Sequence, residues 1–413
     1  MQDRAETEVG SVYVGWKEGE MDIHHIYTGR GESSFLIFPD GTSMLIDAGD
    51  FDPPTPDPFN FEDMKMCDPL PDPSRRAGEW IARYIRKVNP AKSEVNYLVV
   101  SHFHSDHVGD AHNNARRTEG RDPDYVLTGI AEAGEYLRIH TAVDRGWPLY
   151  NYPKPLEDVD FCVENYRSFL AWKMKSEGLR PEAVDIGGGD QFVLRKNPLK
   201  YSGLFEVRTL AASGKIWTGR GKETVNYFDL NPRNISDDLN ENKNSIGMRI
   251  SYGPFRYYTA GDFSETLLDG KGYPVNIEGE IAKICGPAHV CKANHHSYLD
   301  TMTEEFISNI RAQAYIIPVW DYLHIQPSTM TNMASRRLYP GERMIFPTAF
   351  PDVIKEAYKD EPWMTSVCKD YGHVVVKVFD QGRQFKIYIL SAGDESGTVK
   401  AVFSYFSKEL SLS

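Results

Sequence analysis

The sequence predicts an α/β fold of four layers, αββα. Three observations predict it: short alternating apolar runs in the first hundred residues, a second series between about 245 and 347 interleaved with helical periodicity, and a C-terminal β-meander. In the first half, residues 12–16, 23–27, 35–38, 44–46 and 97–100 read as strands, because β-branched and aromatic residues alternate there with polar ones. Residues 51–73 carry seven prolines and little periodicity, which predicts an irregular loop. A helix follows over 77–88, where Trp80, Ile81, Tyr84, Ile85 and Val88 recur at helical spacing. From 111 to about 215 the pattern loosens, apart from a helix over 161–176 and a Gly187-Gly188-Gly189 turn, and this stretch reads as an insertion. The second half predicts strands at 245–251, 255–260, 289–293, 314–319 and 344–347, with helices at 303–311 and 328–338. The tail predicts three more strands, 374–379, 385–390 and 399–406. No linker divides the 413 residues, so the chain reads as a single domain, 1–413.

Composition narrows the function. With 46 Lys and Arg against 59 Asp and Glu, the net charge of -13 opposes binding to nucleic-acid backbones, whose affinity comes from cations displacing condensed counterions. A small molecule is the expected partner. The basic group Arg75, Arg76, Arg83, Arg86 and Lys87 falls on the solvated face of the 77–88 helix. Five cysteines without a CxxC pair argue against both a disulfide framework and a thiolate metal site. No apolar run approaches the roughly 18 residues of a membrane span. The chain reads as soluble, either cytoplasmic or exported with its signal removed, and its oligomeric state is left open.

The chemistry concentrates in Ser101-His102-Phe103-His104-Ser105-Asp106-His107, directly after the strand at 97–100. Three histidines and an aspartate in six residues suit a borderline divalent metal, which takes neutral imidazole nitrogen and carboxylate oxygen. Two later groups complete a site if they converge on it: Gly261-Asp262, after the strand at 255–260, and Asn294-His295-His296-Ser297, after the strand at 289–293. Alone, Asp262 would be a turn residue and the histidine pair structural. A buried aspartate beside a histidine cluster, however, calls for a cation.

The HxHxDH motif, Asp47 at the end of MLIDAGD, the later Gly-Asp and the still later histidines together resemble the metallo-β-lactamase superfamily over nearly the whole chain. Within it the sequence is most similar to the corresponding domain of bacterial competence DNA-uptake proteins and to teichoic-acid phosphorylcholine esterases. The supporting segments are 29–34, Pro39-Asp40-Gly41, Asn244-Ser245, Thr259-Ala260-Gly261-Asp262 and Lys292-Ala293-Asn294-His295-His296. The resemblance implies the metallo-β-lactamase version of the αββα sandwich and a hydrolase using one or two zinc ions, with manganese or iron compatible with the same donors. It places His102 and His104 on a first ion, and Asp106, His107 and one of His295 and His296 on a second. Asp262 would bridge, and Asp47 and Asn244 would stand behind the ligands. His296 is the favoured ligand of the pair, leaving His295 to face substrate.

The sequence departs from the superfamily at the third histidine of the first ion: between Asp110 and Asp262 there are only His112 and His140, neither placed for it. One-ion and two-ion centres both stay open. Ser297 replaces a glycine of the related groups, and His324 stands three residues before Pro327 rather than beside it. His324 is a candidate for binding a leaving group or anionic oxygen, with capping of the following helix as the alternative. His24 and His25 fall on opposite faces of one strand and read as structural. No GxSxG elbow or catalytic cysteine motif competes. The mechanism implied is attack by metal-activated water, with Asp106 taking or relaying its proton and His295 and His324 on the substrate side. The expected substrate is a phosphodiester or phosphate-linked small molecule. The alternatives are a lactone, β-lactam or other ester, and a metal-binding or scaffold protein without turnover.

Overall fold

Strands buried on both faces stack as two sheets. The structure, a computed structural model, describes residues 9–52, 65–112, 116–156, 161–236, 239–264 and 266–407. Its strands are β1 (Met21–His25), β2 (Ser34–Ile37), β3 (Ser43–Ile46), β4 (Glu94–Val99), β5 (Arg138–Asp144), β6 (Arg180–Ala183), β7 (Phe205–Ala212), β8 (Lys215–Trp217), β9 (Thr224–Asn226) and β10 (Gly247–Tyr252). They continue with β11 (Phe255–Ala260), β12 (Thr266–Leu268), β13 (Pro274–Asn276), β14 (Val290–Lys292), β15 (Ala314–Ile317), β16 (Met344–Pro347), β17 (His373–Phe379), β18 (Gln384–Leu390) and β19 (Val399–Phe406). The first sheet runs β19-β18-β17-β1-β2-β3-β4-β5-β6 and the second β16-β15-β14-β11-β10-β7-β8-β9, while β12 and β13 form a separate ribbon.

The inner faces of the two sheets meet in one core, with Leu36, Met44, Tyr97 and Val376 from the first against Ile250, Tyr257, Ile316 and Phe346 from the second. Each such side chain contributes about 1.5–3 kcal/mol by leaving water. Helices cover the outer faces. Ala77–Val88, Gly129–Tyr136 and Phe161–Glu177 lie on the first sheet, and Ile277–Cys285, Glu304–Ile310 and Pro327–Ala334 on the second. The fold is therefore the expected αββα sandwich of the metallo-β-lactamase type.

Pairing is parallel from β3 to β6, and parallel again across β11, β14, β15 and β16. Parallel pairing brings the carboxyl ends of neighbouring strands to one edge of a sheet, where α/β proteins hold ligands. Asp47 leaves β3, the 101–107 segment follows β4, Asp262 follows β11, and His295 and His296 follow β14.

Several local expectations change. Residues 12–16 form no strand: Val12 makes only an isolated bridge to Thr398, because no neighbouring chain runs alongside far enough to build a ladder. Of the proline-rich loop, residues 53–64 lie outside the described residues, and Met66 bridges to Asp321. The stretch 111–215 contributes β5, β6 and β7 and begins β8, together with two of the covering helices. The triple-glycine turn holds Gly187 at φ 76, with the Trp217 ring where a Cβ would stand. Among the described residues no helix is long and apolar enough to cross a membrane.

Candidate metal centre

The motif after β4 begins with Val100 and Ser101, whose path is fixed by Asp47. The Asp47 carboxylate accepts from the Ser101 N–H at 2.7 Å and the Ser101 hydroxyl at 2.6 Å, and lies 2.8 Å from His107 Nδ1. The short helix Ser105–Val108 then turns Asp106 and His107 inward. Its carbonyls dock against the loop of Asp47: Ala48 N–H donates to His107 O, and Glu32 N–H to Asp106 O. Gly49 is required at this crossing, since a Cβ on it would stand 1.8 Å from Asp106 O.

From the other sheet, Asp262 is held by its backbone N–H, which donates to Ser245 Oγ at 2.8 Å. His295, His296 and Ser297 are consecutive residues in the left-handed region, at φ 44, 49 and 68, a turn tight enough to throw the His296 ring back toward β4. His296 Nδ1 lies 3.0 Å from Pro318 O, which accepts from it and so leaves Nε2 as the free nitrogen.

Four side chains converge. His296 Nε2 is 2.9 Å from Asp106 Oδ2 and 3.3 Å from Asp262 Oδ2; His107 Nε2 is 3.1 Å from Asp262 Oδ2 and 3.3 Å from Asp106 Oδ2. Bonds of about 2.0–2.1 Å to a tetrahedral zinc would set donors about 3.3 Å apart, so these separations fit one cation. Asp262 Oδ1, buried and without a hydrogen-bond partner among the described residues, is a second sign that the carboxylate is built for a ligand outside the protein. Beside this set, His102 Nε2 lies 3.1 Å from His104 Nδ1 and 3.9 Å from Asp262 Oδ2, giving a smaller group of two imidazoles that shares Asp262.

Electrostatics agree. Burial alone would depress the imidazoles, but the Asp262 and Asp106 carboxylates outweigh it, raising His107 well above the usual range and His296 to about 9. Burial would raise the two carboxyls, yet the histidines hold both well below the carboxylate range. In the absence of an ion these four groups neutralise one another, and a metal would displace imidazole protons.

Glu32, His107, Asp262 and His296 also form a close group of buried donors, within 4.8 Å of one another. Glu32 Oε2, however, accepts from Lys292 Nζ at 2.7 Å and lies 3.5 Å from His296 Nδ1, on the far side of that ring from Nε2. Glu32 is thus tied to Lys292 beside His296, while Asp106 reaches the Nε2 atoms of His296 and His107 from 2.9 and 3.3 Å.

The remaining expected residues fall around this cluster. His295 turns away from it: Nδ1 lies 2.9 Å from Asp300 Oδ1 and Nε2 3.3 Å from Asn242 Nδ2. His324 stacks on His296 with ring centroids 4.6 Å apart, and burial followed by the His296 charge lowers its pKa well below the usual value. It caps no helix, since Gln326 is the N-cap of Pro327–Ala334. Asn244 donates to Glu241 Oε2 at 3.1 Å, and the bond to Asp262 is made by its neighbour Ser245. His24 and His25 lie outside the cluster, bonded to Tyr84 and to Ser34 and Tyr257. Sequence reasoning missed Glu32, Lys292, Ser101, Ser245 and Trp320, whose indole N–H points at His296 Nε2 from 3.4 Å. For Lys292 and Glu32 a signal existed: each is a charged residue set within the segments flanking the motifs.

A recess of about 450 Å³ opens beside His104, walled by Phe103, Leu156, Val163 and Leu239 and edged by Arg145 and Lys154. Arg145 is held by Glu241, its Nε donating at 2.7 Å.

Residues 27–121 match the family model described as the metallo-beta-lactamase superfamily, a span containing Asp47 and His102 to His107. No curated protein matches the chain. The matched span, together with the αββα sandwich that brings Asp262 and His296 onto it, makes the chain similar to the metallo-beta-lactamase superfamily.

Proposed function

We propose that the chain is a metal-dependent hydrolase acting on a phosphodiester or phosphate-linked small molecule, with zinc as the ion. What carries the reading is the meeting of Asp106, His107, Asp262 and His296, whose imidazole nitrogens stand 2.9–3.3 Å from the carboxylate oxygens, near a recess with Lys154 at its edge. A divalent cation bound there supplies Lewis acidity and brings the pKa of a bound water from about 15.7 toward about 7. The chain's own groups do the rest. Asp47 holds His107 through Nδ1, and Pro318 O holds His296, so that both present Nε2. His104 lines the recess with His102 behind it, and Asp262 is shared between the two groups of donors. Lys154 favours an anionic group at the mouth, while the Arg145 charge is paired with Glu241. Asp106 would take the proton of the attacking water, and His295, held between Asp300 and Asn242, would border the substrate side.

The apolar wall of the recess favours a second reading, hydrolysis of a carbon-centred ester, lactone or β-lactam. A panel of phosphodiesters, lactones and β-lactams, assayed with added zinc or manganese, separates the two. Turnover of phosphodiesters is expected, and activity confined to lactones or β-lactams would overturn the first reading. Asp262→Ala should release metal and abolish turnover, because both groups of donors lose a shared oxygen. Full metal content by elemental analysis would remove Asp262 from that role.

A further inference from the structure

A second cavity, of about 130 Å³, shares no lining residue with the metal centre. Its walls include Tyr13, Tyr27, Trp80, Tyr84 and Leu390, and a buried polar group set among them is His373, only 6% exposed. The His373 ring lies against Tyr84 with centroids 4.3 Å apart. Its Nδ1 accepts from the backbone N–H of Tyr27 at 3.0 Å. A backbone amide can only donate, so the ring proton is on Nε2 and the imidazole offers one fixed donor. Burial lowers its pKa to about 3, which keeps the ring neutral at ordinary pH. Among the described residues Nε2 has no partner.

The charged groups at the rim are each engaged in hydrogen bonds or an ion pair. Lys87 donates to Glu395 O, Arg83 pairs with the Glu395 carboxylate at 2.6 Å, and Asp394 accepts from Ser396. The volume is close to that of an apolar cavity of about 150 Å³ that stays dry and binds benzene.

We propose that this cavity binds a small uncharged aromatic molecule whose single hydrogen-bond acceptor engages Nε2–H of His373, a phenol being the simplest member of the class. Aromatic walls supply ring contacts, and the buried donor fixes orientation and favours rings that carry an acceptor. The test is calorimetric titration of the full chain with phenol and with benzene. Phenol should bind one to one with a Kd of about 0.1–1 mM, in keeping with its few heavy atoms, and more tightly than benzene. His373→Phe keeps a ring against Tyr84 and removes the donor; it should weaken phenol roughly three- to tenfold and leave benzene unchanged. Val12→Trp, at a lining residue that is 59% exposed, should block both without disturbing the core. No phenol binding by the unaltered chain at about 10 mM, or binding that Val12→Trp leaves intact, would overturn the proposal. If His373→Phe does not fold, Val12→Trp alone decides.

Discussion

Both carboxylate oxygens of Asp47 are taken by the turn that carries the ligands, and its backbone sits at φ 58, a conformation that costs about 1–2 kcal/mol for a residue with a side chain. The site is therefore organised before any ion arrives. Asp47→Ala should leave the fold intact and weaken metal affinity by about 10- to 100-fold, as read by chelator competition. The buried pair beside His296 behaves differently. Lys292 and Glu32 are both fully buried, and Lys292 also donates to Ala260 O at 2.5 Å, tying β14 to the end of β11. Burial raises the Glu32 carboxyl while Lys292 opposes it. Lys292→Met should cost about 3–5 kcal/mol by stranding a carboxylate, and adding Glu32→Gln should recover much of it; denaturant melts of the single and double variants check this. The imidazoles set the pH response. Without metal, their ion pairs contribute stability that is complete below about 6.5 and is lost as pH rises through about 9, the folded value of His296. Metal needs neutral imidazole, so its apparent affinity should climb over the same interval with protons released. Calorimetry in buffers of different ionisation enthalpy measures that release, and uptake independent of pH between 6 and 9 would contradict it.

At the scale of elements, the ligands are held by close backbone crossings as much as by side chains. Gly49 passes so near Asp106 O that Gly49→Ala must push the Ser105–Val108 helix away from Asp47. We expect metal affinity to fall with little change in far-ultraviolet dichroism, because the strands on either side are untouched. The sequence made the strand ends legible: alternation located β2, β3, β4, β11, β15 and β16, and the chemistry sits directly after several of them. Helix 77–88 was legible for the same reason, a clean apolar stripe around Trp80, Ile81 and Ile85. What stayed hidden depends on tertiary contact. Helix Ile277–Cys285 was not anticipated because it is short and mixes Glu and Lys into its apolar face. The short strand β6, Arg180–Ala183, carries a proline and two charges and is a strand only because β5 lies beside it. The left-handed run His295 to Ser297 could not be read from residue types that usually avoid it. Only Ser297, standing where the related groups have glycine, hinted at the conformation.

For the whole molecule, the donors are drawn from both sheets, with Asp47 and His102 to His107 on one and Asp262 and His296 on the other. A bound ion thus ties the halves together. At a free metal concentration 1,000 times Kd, binding adds about 4.1 kcal/mol, which for a chain of this length corresponds to roughly 5 °C in Tm. Thermal scans with and without a chelator should show that difference, and Asp262→Ala should abolish it. The order of the first sheet has another consequence. β1, near the start of the chain, is hydrogen-bonded along its length to β17, and β18 and β19 extend the sheet beyond it. During synthesis every proposed ligand leaves the ribosome before residue 373, yet the N-terminal sheet keeps an open flank until the last strands emerge. A nascent chain halted in that interval would hold its full set of ligands on an unfinished scaffold, exposed to edge-on association with its neighbours.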